Sequence, residues 1–251
     1  MFDSVSLKDI KTIAKVAGDE IMKIYQRDFE IEYKEDSSPL TEADIKANEI
    51  ICNSLLSLYP EIPILSEENS IVEYKVRKKW KYYWCIDPID GTKEFIKKNG
   101  EFTVNIALIH KETPVLGVVY APALDLMYAA KKDEGAYLNE KRLPLYINEN
   151  KKDKLVVLTS KSHLSSDTQK FINSLDTKEV EQVSKGSSLK LCMVADGSAD
   201  IYPRLAPTME WDTAAGDAIV REAGRMSYDF KTKKPMIYNK QDLLNPWFII
   251  K

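Results

Sequence analysis

Two carboxylates, Asp87 and Asp90, stand three residues apart where an apolar, aromatic-rich run of strand type gives way to a turn. Pro88 fixes its own φ and biases Asp87 toward an extended backbone, and Gly91 frees the backbone where a side chain would obstruct it. Two acids held this close repel each other unless positive charge lies between them. We therefore expect the turn to bind hard metal cations.

Further acidic side chains adjoin other predicted elements. Glu67 and Glu68 follow a short apolar strand, and Asp212 precedes a predicted helix rich in small residues. Each has an ordinary explanation, because a pair of glutamates on a loop is usually solvated and an aspartate before a helix is a common N-cap. If these acids converge with Asp87 and Asp90, only cations would neutralise them, because the chain offers few bases near them.

The ligand chemistry narrows the choice of metal and reaction. An all-oxygen ligand set favours Mg²⁺, with Mn²⁺ as a substitute, over zinc or copper. Several carboxylates around a pair of Mg²⁺ ions suit phosphoryl transfer, because the metals bind the attacking and leaving oxygens. The sequence lacks the pattern G-x-x-x-x-G-K-[ST], which disfavours a P-loop NTPase. It also lacks G-x-S-x-G, which disfavours a serine hydrolase with that nucleophile motif.

Asp44 opens the second predicted helix, three residues after Thr41. Thr41 as N-cap and Asp44 as the reciprocal side chain come close to a capping box, so a structural role explains Asp44. A second interpretation is a carboxylate that orients an attacking water. Both interpretations hold together, because a cap also fixes the position of its side chain.

Composition sets wider limits. The 251 residues, 44% hydrophobic and 30% charged, indicate one large or two small globular domains. The net charge of −3 argues against a nucleic-acid polymer as partner, although a few local cations can still hold a small anionic substrate. We expect no signal peptide and no transmembrane segment. The odd, widely spaced cysteines suggest reduced thiols and a cytoplasmic protein. Contact with the inner face of the membrane, and the choice between monomer and homodimer, stay open.

The predicted elements change character along the chain. Two amphipathic helices, 7–25 and 41–59, precede several strands with hairpin-length links, which predicts an antiparallel sheet with helices on one face. The segment 70–81 reads as an exposed, partly helical connector without a function. We expect the last strand, 247–250, to be buried.

A polar stretch after residue 147 is the best candidate for a domain boundary. It divides an N-terminal α+β domain, residues 1–147, which supplies most metal ligands, from a C-terminal α/β domain, residues 148–251. Strands alternate with helices in this second half, which we expect to bind the substrate and supply the last metal ligand.

Two segments, 87–92 (Asp-Pro-Ile-Asp-Gly-Thr) and 211–216 (Trp-Asp-Thr-Ala-Ala-Gly), resemble both signatures of the inositol monophosphatase superfamily. The segments 65–68 and 40–44 are similar to its two other acidic elements, in the same order. The similarity covers nearly the whole chain. It implies a layered αβαβα sandwich, of mixed α+β and α/β character, of the inositol monophosphatase and fructose-1,6-bisphosphatase (sugar phosphatase) type.

Three segments are similar to the 3'(2'),5'-bisphosphate nucleotidase branch, of CysQ type: 90–95, 185–190 and 200–204. Inositol monophosphatases typically carry Asn where this chain has Glu94, and the segment 207–210 departs from the family where we expect variation. The resemblance implies hydrolysis of the 3'-phosphate of adenosine 3',5'-bisphosphate, a phosphorylated nucleotide, to AMP and phosphate. The alternatives are an inositol-1-phosphate or sugar-phosphate phosphatase, or an inactive metal- or nucleotide-binding regulator.

The resemblance also implies roles for individual residues. The implied Mg²⁺ ligands are Glu67, Asp87, the Ile89 carbonyl, Asp90 and Asp212. The residues implied to orient and deprotonate the attacking water are Asp44 and Thr92, with Glu68 in support. The implied substrate contacts are Glu67, Ile89, Asp90, Gly91, Thr92, Ser160, His163, Gly186, Lys190, Arg204 and Asp212.

Some of these substrate contacts have a stated part in binding. The amides of Gly91 and Thr92 would bind the scissile phosphate. Lys190 would bind the phosphate that is not cleaved. His163 has an ordinary alternative as a surface histidine, and Arg204 as a packing partner. The family resemblance further implies inhibition by Li⁺, which would compete at one Mg²⁺ position.

Overall fold

The structure, a computed structural model, describes residues 4–34, 39–149, 153–161 and 165–251. The helices are α1 (Leu7–Tyr25), α2 (Glu42–Leu58), α3 (Tyr74–Arg77), α4 (Thr92–Ile96), α5 (Ser166–Asn173), α6 (Leu189–Asp196) and α7 (Ala214–Glu222). The strands are β1 (Ile31–Tyr33), β2 (Pro39–Thr41), β3 (Ile64–Ser66), β4 (Tyr82–Asp90), β5 (Thr103–His110), β6 (Thr113–Ala121), β7 (Leu126–Lys131), β8 (Gly135–Leu138), β9 (Lys141–Arg142), β10 (Lys154–Ser160), β11 (Glu179–Lys185), β12 (Tyr202–Arg204), β13 (Ser227–Asp229) and β14 (Phe248–Ile250).

A seven-stranded sheet in the order β3-β4-β5-β6-β7-β8-β9 forms the centre of the fold. A hairpin joins β5 to β6, as the hairpin-length links predicted, and every neighbouring pair is antiparallel except β3 and β4. The sheet is therefore mixed rather than wholly antiparallel. The parallel pair matters for the site, because the carboxyl ends of β3 and β4 lie at the same edge of the sheet.

Helices cover both faces of this sheet. On one face α1 and α2 build a core that includes Ile10, Ile51 and Trp84. On the other face α6 and α7 build a core that includes Leu191, Ile219 and Tyr83. The two N-terminal helices thus pack on one face, as expected for the first half, and helices from the second half of the chain cover the other face.

The second half adds the outer layers. The strands β10 and β11 form a parallel pair, and a bridge between Val157 and Ile201 joins β10 to the segment before β12. A sheet in the order β12-β14-β13 lies beside them. On α5, Ile172 packs against Leu155 and Val157. The layers are therefore α1 and α2, the seven-stranded sheet, α6 and α7, the smaller sheets, and α5. This order confirms the layered αβαβα sandwich.

Two local expectations need correction. Trp247 is 44% exposed, and the buried residues of the last strand are Phe248 and Ile250. The segment 70–81 contains Arg77, which is 2% exposed and whose guanidinium donates to Asn239 Oδ1 at 2.8 Å. That segment is therefore anchored to the C-terminal part of the chain. Within the described ranges, no helix has the length and apolar character needed to span a membrane. The domain division at residue 147 stays a prediction.

Candidate active site

Three carboxylates from separate elements meet at one edge of the central sheet. Glu67 follows β3, Asp87 lies in β4, and Asp212 precedes α7. One carboxylate oxygen of each lies within 4.8 Å of those of the other two. Asp90 lines the same cavity, whose volume is about 300 Å³. We call Glu67, Asp87, Asp90 and Asp212 the acid cluster. The convergence expected from their positions after strands and before a helix is therefore found.

The acid cluster is electrostatically unfavourable by itself. Burial raises the pKa of the Asp87 and Asp212 carboxyls well above the usual range, and neighbouring carboxylates raise it further. Burial also raises the pKa of Glu67 and Asp90, although each has a lysine nearby. Divalent cations relieve such repulsion, and the donor atoms are all oxygens. The residues therefore fit Mg²⁺ or Mn²⁺.

The turn after β4 holds its acids by short local contacts. The pairing of β4 with β5 shifts register between Asp87 and Asp90, so the strand bulges at this point. The Ile89 N–H donates to Asp87 Oδ1 at 3.0 Å, and Ser188 Oγ donates to Asp90 Oδ2 at 2.6 Å. Gly91 then has a φ of +92°, a left-handed conformation that glycine adopts without strain. We call residues 87–92 the catalytic turn, after the role that we propose for them.

Asp44 is both a helix cap and a neighbour of Thr92. The predicted capping box is present, since Asp44 Oδ2 accepts from the Thr41 N–H at 2.8 Å and from Thr41 Oγ1 at 2.6 Å. The other oxygen, Oδ1, accepts from Thr92 Oγ1 at 3.3 Å. Burial raises the pKa of Asp44 to about 6. Both interpretations of Asp44 are therefore compatible in one geometry.

Lys34 is a residue that the sequence analysis missed. Its Nζ lies 3.0 Å from Glu67 Oε1 and 2.7 Å from Glu68 Oε1, so the expectation of few bases near the acids was wrong here. Lys34 follows β1, which pairs with β2, and β2 leads directly into α2. This pairing brings Lys34 to the site. The short, exposed strand β1 gives no sequence signal for it.

Most predicted substrate contacts line the cavity. The lining includes Glu67, Ile89, Asp90, Gly91, Thr92, Ser160, Gly186, Lys190, Arg204 and Asp212. His163 lies outside the described residues. Asp44 adjoins the cavity through its contact with Thr92, and Glu68 contacts Lys34.

The second half of the chain forms one wall of the cavity, which includes Ser160, Gly186, Ser187 and Lys190. We call Ser160 and residues 186–190 the nucleotide-binding edge, after the role that we propose for it. Lys190 is buried, and its Nζ donates to the carbonyl oxygens of Ser187 at 2.6 Å and Lys185 at 3.2 Å. Burial lowers its pKa to about 8 although Asp90 favours the charged form. The Gly186 N–H donates to Glu101 Oε2 at 2.9 Å. Sequence reasoning did not single out Glu101.

Asp212 is not the N-cap of α7. Thr213 occupies the N-cap position, and Asp212 Oδ2 accepts from the Met209 N–H at 2.9 Å. The alternative of Asp212 as an N-cap therefore does not apply, because the helix begins one residue later. Glu210, in the segment where we expected variation, is fully buried and accepts from the Asn239 N–H at 2.7 Å. It therefore fixes the approach to Asp212.

Arg204 keeps its two interpretations. It is 8% exposed and lines the cavity, and its Nη2 donates to the Pro207 carbonyl oxygen at 2.8 Å.

A family model described as the inositol monophosphatase family matches residues 4–247. The chain belongs to the inositol monophosphatase family. Among its relatives, a protein of Salmonella typhimurium named 3'(2'),5'-bisphosphate nucleotidase CysQ is 45% identical over 244 residues, which are 96% of this chain and 98% of that protein. The protein of the same name from Escherichia coli K12 is 43% identical over 245 residues, with the same coverage of 96% and 98%.

Solved structures of inositol monophosphatase family members have the same fold. The crystal structure of CysQ from Bacteroides thetaiotaomicron superposes with a TM-score of 0.86 at 43% identity, over 98% of this chain and 96% of that one. An IMPase of Thermotoga maritima superposes with a TM-score of 0.79 at 28% identity, over 96% of this chain and 89% of that one. The fold predicted from the resemblance is therefore confirmed.

Proposed function

We propose that this protein is a Mg²⁺-dependent phosphomonoester hydrolase that removes the 3'-phosphate of adenosine 3',5'-bisphosphate and releases AMP and phosphate. The observation that carries the proposal is one cavity lined on one side by the acid cluster and on another by Gly186 and the buried cation Lys190. Relatives named 3'(2'),5'-bisphosphate nucleotidase, 43 to 45% identical over nearly the whole chain, support the choice of substrate.

The acid cluster and the Ile89 carbonyl oxygen would hold Mg²⁺, or Mn²⁺ as a substitute. When bound, the ions would supply Lewis-acid charge that lowers the pKa of a water and neutralises the phosphoryl group. Asp87 is 2% exposed and belongs to a buried strand, so this side chain is held rigidly and shielded from bulk water. The protein thus contributes a preorganised set of oxygen ligands.

Asp44 and Thr92 orient the attacking water and take its proton. Thr92 Oγ1 donates to Asp44 Oδ1, while Thr41 holds the second oxygen of Asp44, so the carboxylate keeps one orientation. With a pKa of about 6, Asp44 is mostly ionised at neutral pH and close to the range suited to a general base. Glu68 supports this arrangement through Lys34.

The remaining cavity residues bind the substrate. The Gly91 and Thr92 amides bind the scissile phosphate at the start of α4. Lys190 and Arg204 supply positive charge for the 5'-phosphate on the wall formed by the second half of the chain. Ser160 and Gly186 line the same wall beside the nucleoside. Lys190 is held by carbonyl oxygens at 2.6 and 3.2 Å, so its ammonium is already in position for an anion.

A substrate panel tests the proposal. With Mg²⁺, we expect kcat/KM for adenosine 3',5'-bisphosphate to exceed that for inositol 1-phosphate and fructose 1,6-bisphosphate by at least about tenfold, a difference of about 1.4 kcal/mol. Asp87→Asn, purified in parallel, controls for contaminating phosphatases. The reverse preference would refute the substrate assignment, and full activity in Asp87→Asn would refute the metal chemistry.

We also propose a cytoplasmic location. Cys52, Cys85 and Cys192 are free thiols, which is consistent with a reducing compartment.

A further inference from the structure

Glu101 connects the two sides of the cavity. It stands just before β5 in the central sheet, and its side chain is 11% exposed. Its Oε2 accepts from the Gly186 N–H at 2.9 Å and lies 3.0 Å from Lys161 Nζ, while Oε1 lies 3.2 Å from Lys185 Nζ. One carboxylate of the first half therefore binds three groups of the second half.

These three groups lie at the ends of two paired strands. The parallel strands β10 and β11 are in register, with Ser160 opposite Lys185 at their last positions. Lys161 directly follows β10, and Gly186 directly follows β11. Glu101 thus holds both strand ends at the point where they become the nucleotide-binding edge.

The same residue also touches the catalytic turn. The Glu101 carbonyl oxygen would lie 3.2 Å from a Cβ at Gly91 and 2.8 Å from a Cβ at Gly186. Both glycines therefore approach the Glu101 backbone closely, one from each side of the cavity. The separation between the catalytic turn and the nucleotide-binding edge is set at this residue.

We propose that Glu101 is a positioning residue that selects substrates carrying a second phosphate. The inference rests on the proposed function. A small monoester needs the acid cluster and the catalytic turn, whereas a bisphosphate must also reach Lys190 on the nucleotide-binding edge. Loss of the Glu101 carboxylate frees that edge and leaves the acid cluster in place. The lysine pairs are partly exposed and weak singly, so the buried bond to Gly186 N–H carries most of the effect.

Steady-state kinetics provide the first test, on the full chain with Mg²⁺. For Glu101→Ala we expect KM for adenosine 3',5'-bisphosphate to rise roughly tenfold with kcat within about twofold, and kcat/KM for 4-nitrophenyl phosphate to stay within about twofold. Glu101→Gln should show a rise of only about threefold, because its amide oxygen still accepts from the Gly186 N–H.

Glu181→Gln is the matched control. Glu181 lies on β11 and pairs with Lys154 of β10 at 2.9 Å, toward the other end of the same two strands. The substitution removes a carboxylate from this strand pair without touching the cavity. The kcat and KM values for both substrates should therefore match those of the wild type. If Glu101→Ala does not fold, Lys161→Met combined with Lys185→Met removes the same ion pairs from the exposed side. That double variant should raise KM for the bisphosphate about threefold.

Amide hydrogen exchange tests the positioning without any substrate. Peptides spanning residues 183–190 should take up deuterium faster in Glu101→Ala than in the wild type and Glu181→Gln. Unchanged exchange, or an equal loss of activity toward both substrates, would overturn the role of Glu101. A wild-type enzyme that prefers inositol 1-phosphate would instead overturn the proposed function, and the exchange experiment would still decide whether Glu101 holds the edge.

Discussion

The residues of the acid cluster repel one another electrostatically when they are ionised. Asp87 and Asp212 are buried carboxyls whose pKa burial and neighbouring charges raise, a state that costs stability unless a cation is shared. Asp44 and Lys190 have milder shifts of pKa, to about 6 and about 8. Side chains that titrate near neutrality suit the roles that we propose: proton transfer for Asp44 and anion binding for Lys190.

Replacement of Asp87 should change activity and thermal stability in opposite directions. We expect Asp87→Asn to lower kcat/KM at least about 10²-fold, because a metal ligand and its charge are lost. In the presence of EDTA the same variant should melt at a higher temperature than the wild type, because one repelling carboxylate is gone. Differential scanning calorimetry and phosphate release measure the two effects. Asp167→Asn, an exposed change on α5, should alter neither.

We expect Lys190 to set an upper pH limit on activity. Its pKa of about 8 means that the ammonium loses its proton as pH rises through that value. We expect kcat/KM for adenosine 3',5'-bisphosphate to fall above about pH 8, because kcat/KM reports groups of the free enzyme. The fall should be absent in Lys190→Met, whose activity is lower throughout, and absent for 4-nitrophenyl phosphate. A fall of equal size in Lys190→Met would assign the limit to another group.

At the scale of elements, the contact between β6 and α7 positions Asp212. Gly117 on β6 lies so close to α7 that an added Cβ would meet the Ala215 carbonyl oxygen at 2.2 Å and Ala218 Cβ at 2.8 Å. The small residues at the start of α7 are what permit this approach, and they keep the helix start, and Asp212 before it, against the sheet.

A methyl group at this contact should be poorly tolerated. We expect Gly117→Ala to lower the free energy of unfolding by about 2 to 3 kcal/mol, since the backbone of α7 must move. Urea denaturation measures the change. Gly224→Ala is the comparison, because nothing lies within 4 Å of its added Cβ and only the strain of its φ of +79° remains. A greater loss for Gly224→Ala than for Gly117→Ala would contradict the packing argument.

Elements with local signals were predictable, and contacts between distant ones were not. The capping box of Thr41 and Asp44 spans three residues, so its sequence pattern was sufficient. The order of the acidic motifs likewise predicted the cluster. The contacts of Lys34 with Glu67 and of Glu101 with Lys185 join residues 33 and 84 positions apart. They depend on strand pairing and layer stacking, which no local pattern encodes.

For the whole molecule, we expect the acid cluster to couple stability to pH. The acid-cluster carboxyls have raised pKa values in the folded state, so the native protein binds protons that the unfolded chain has released. In EDTA we expect the melting temperature to fall as pH rises from about 5 to 7, because these acids become charged. Saturating Mg²⁺ should abolish the fall, since cations replace the protons. A melting temperature in EDTA that rises over this range would refute the coupling.

The acid cluster combines residues from distant parts of the chain: Glu67 and Asp87 leave neighbouring strands, whereas Asp212 comes near its C-terminal end. During synthesis on the ribosome, the chain therefore lacks a complete set of ligands until Asp212 has emerged. The complete cluster forms only when α7, which follows Asp212 and covers the second face of the sheet, is in place. Completion of the metal site would then come late in folding, and a chain truncated before Asp212 would lack one of its implied ligands.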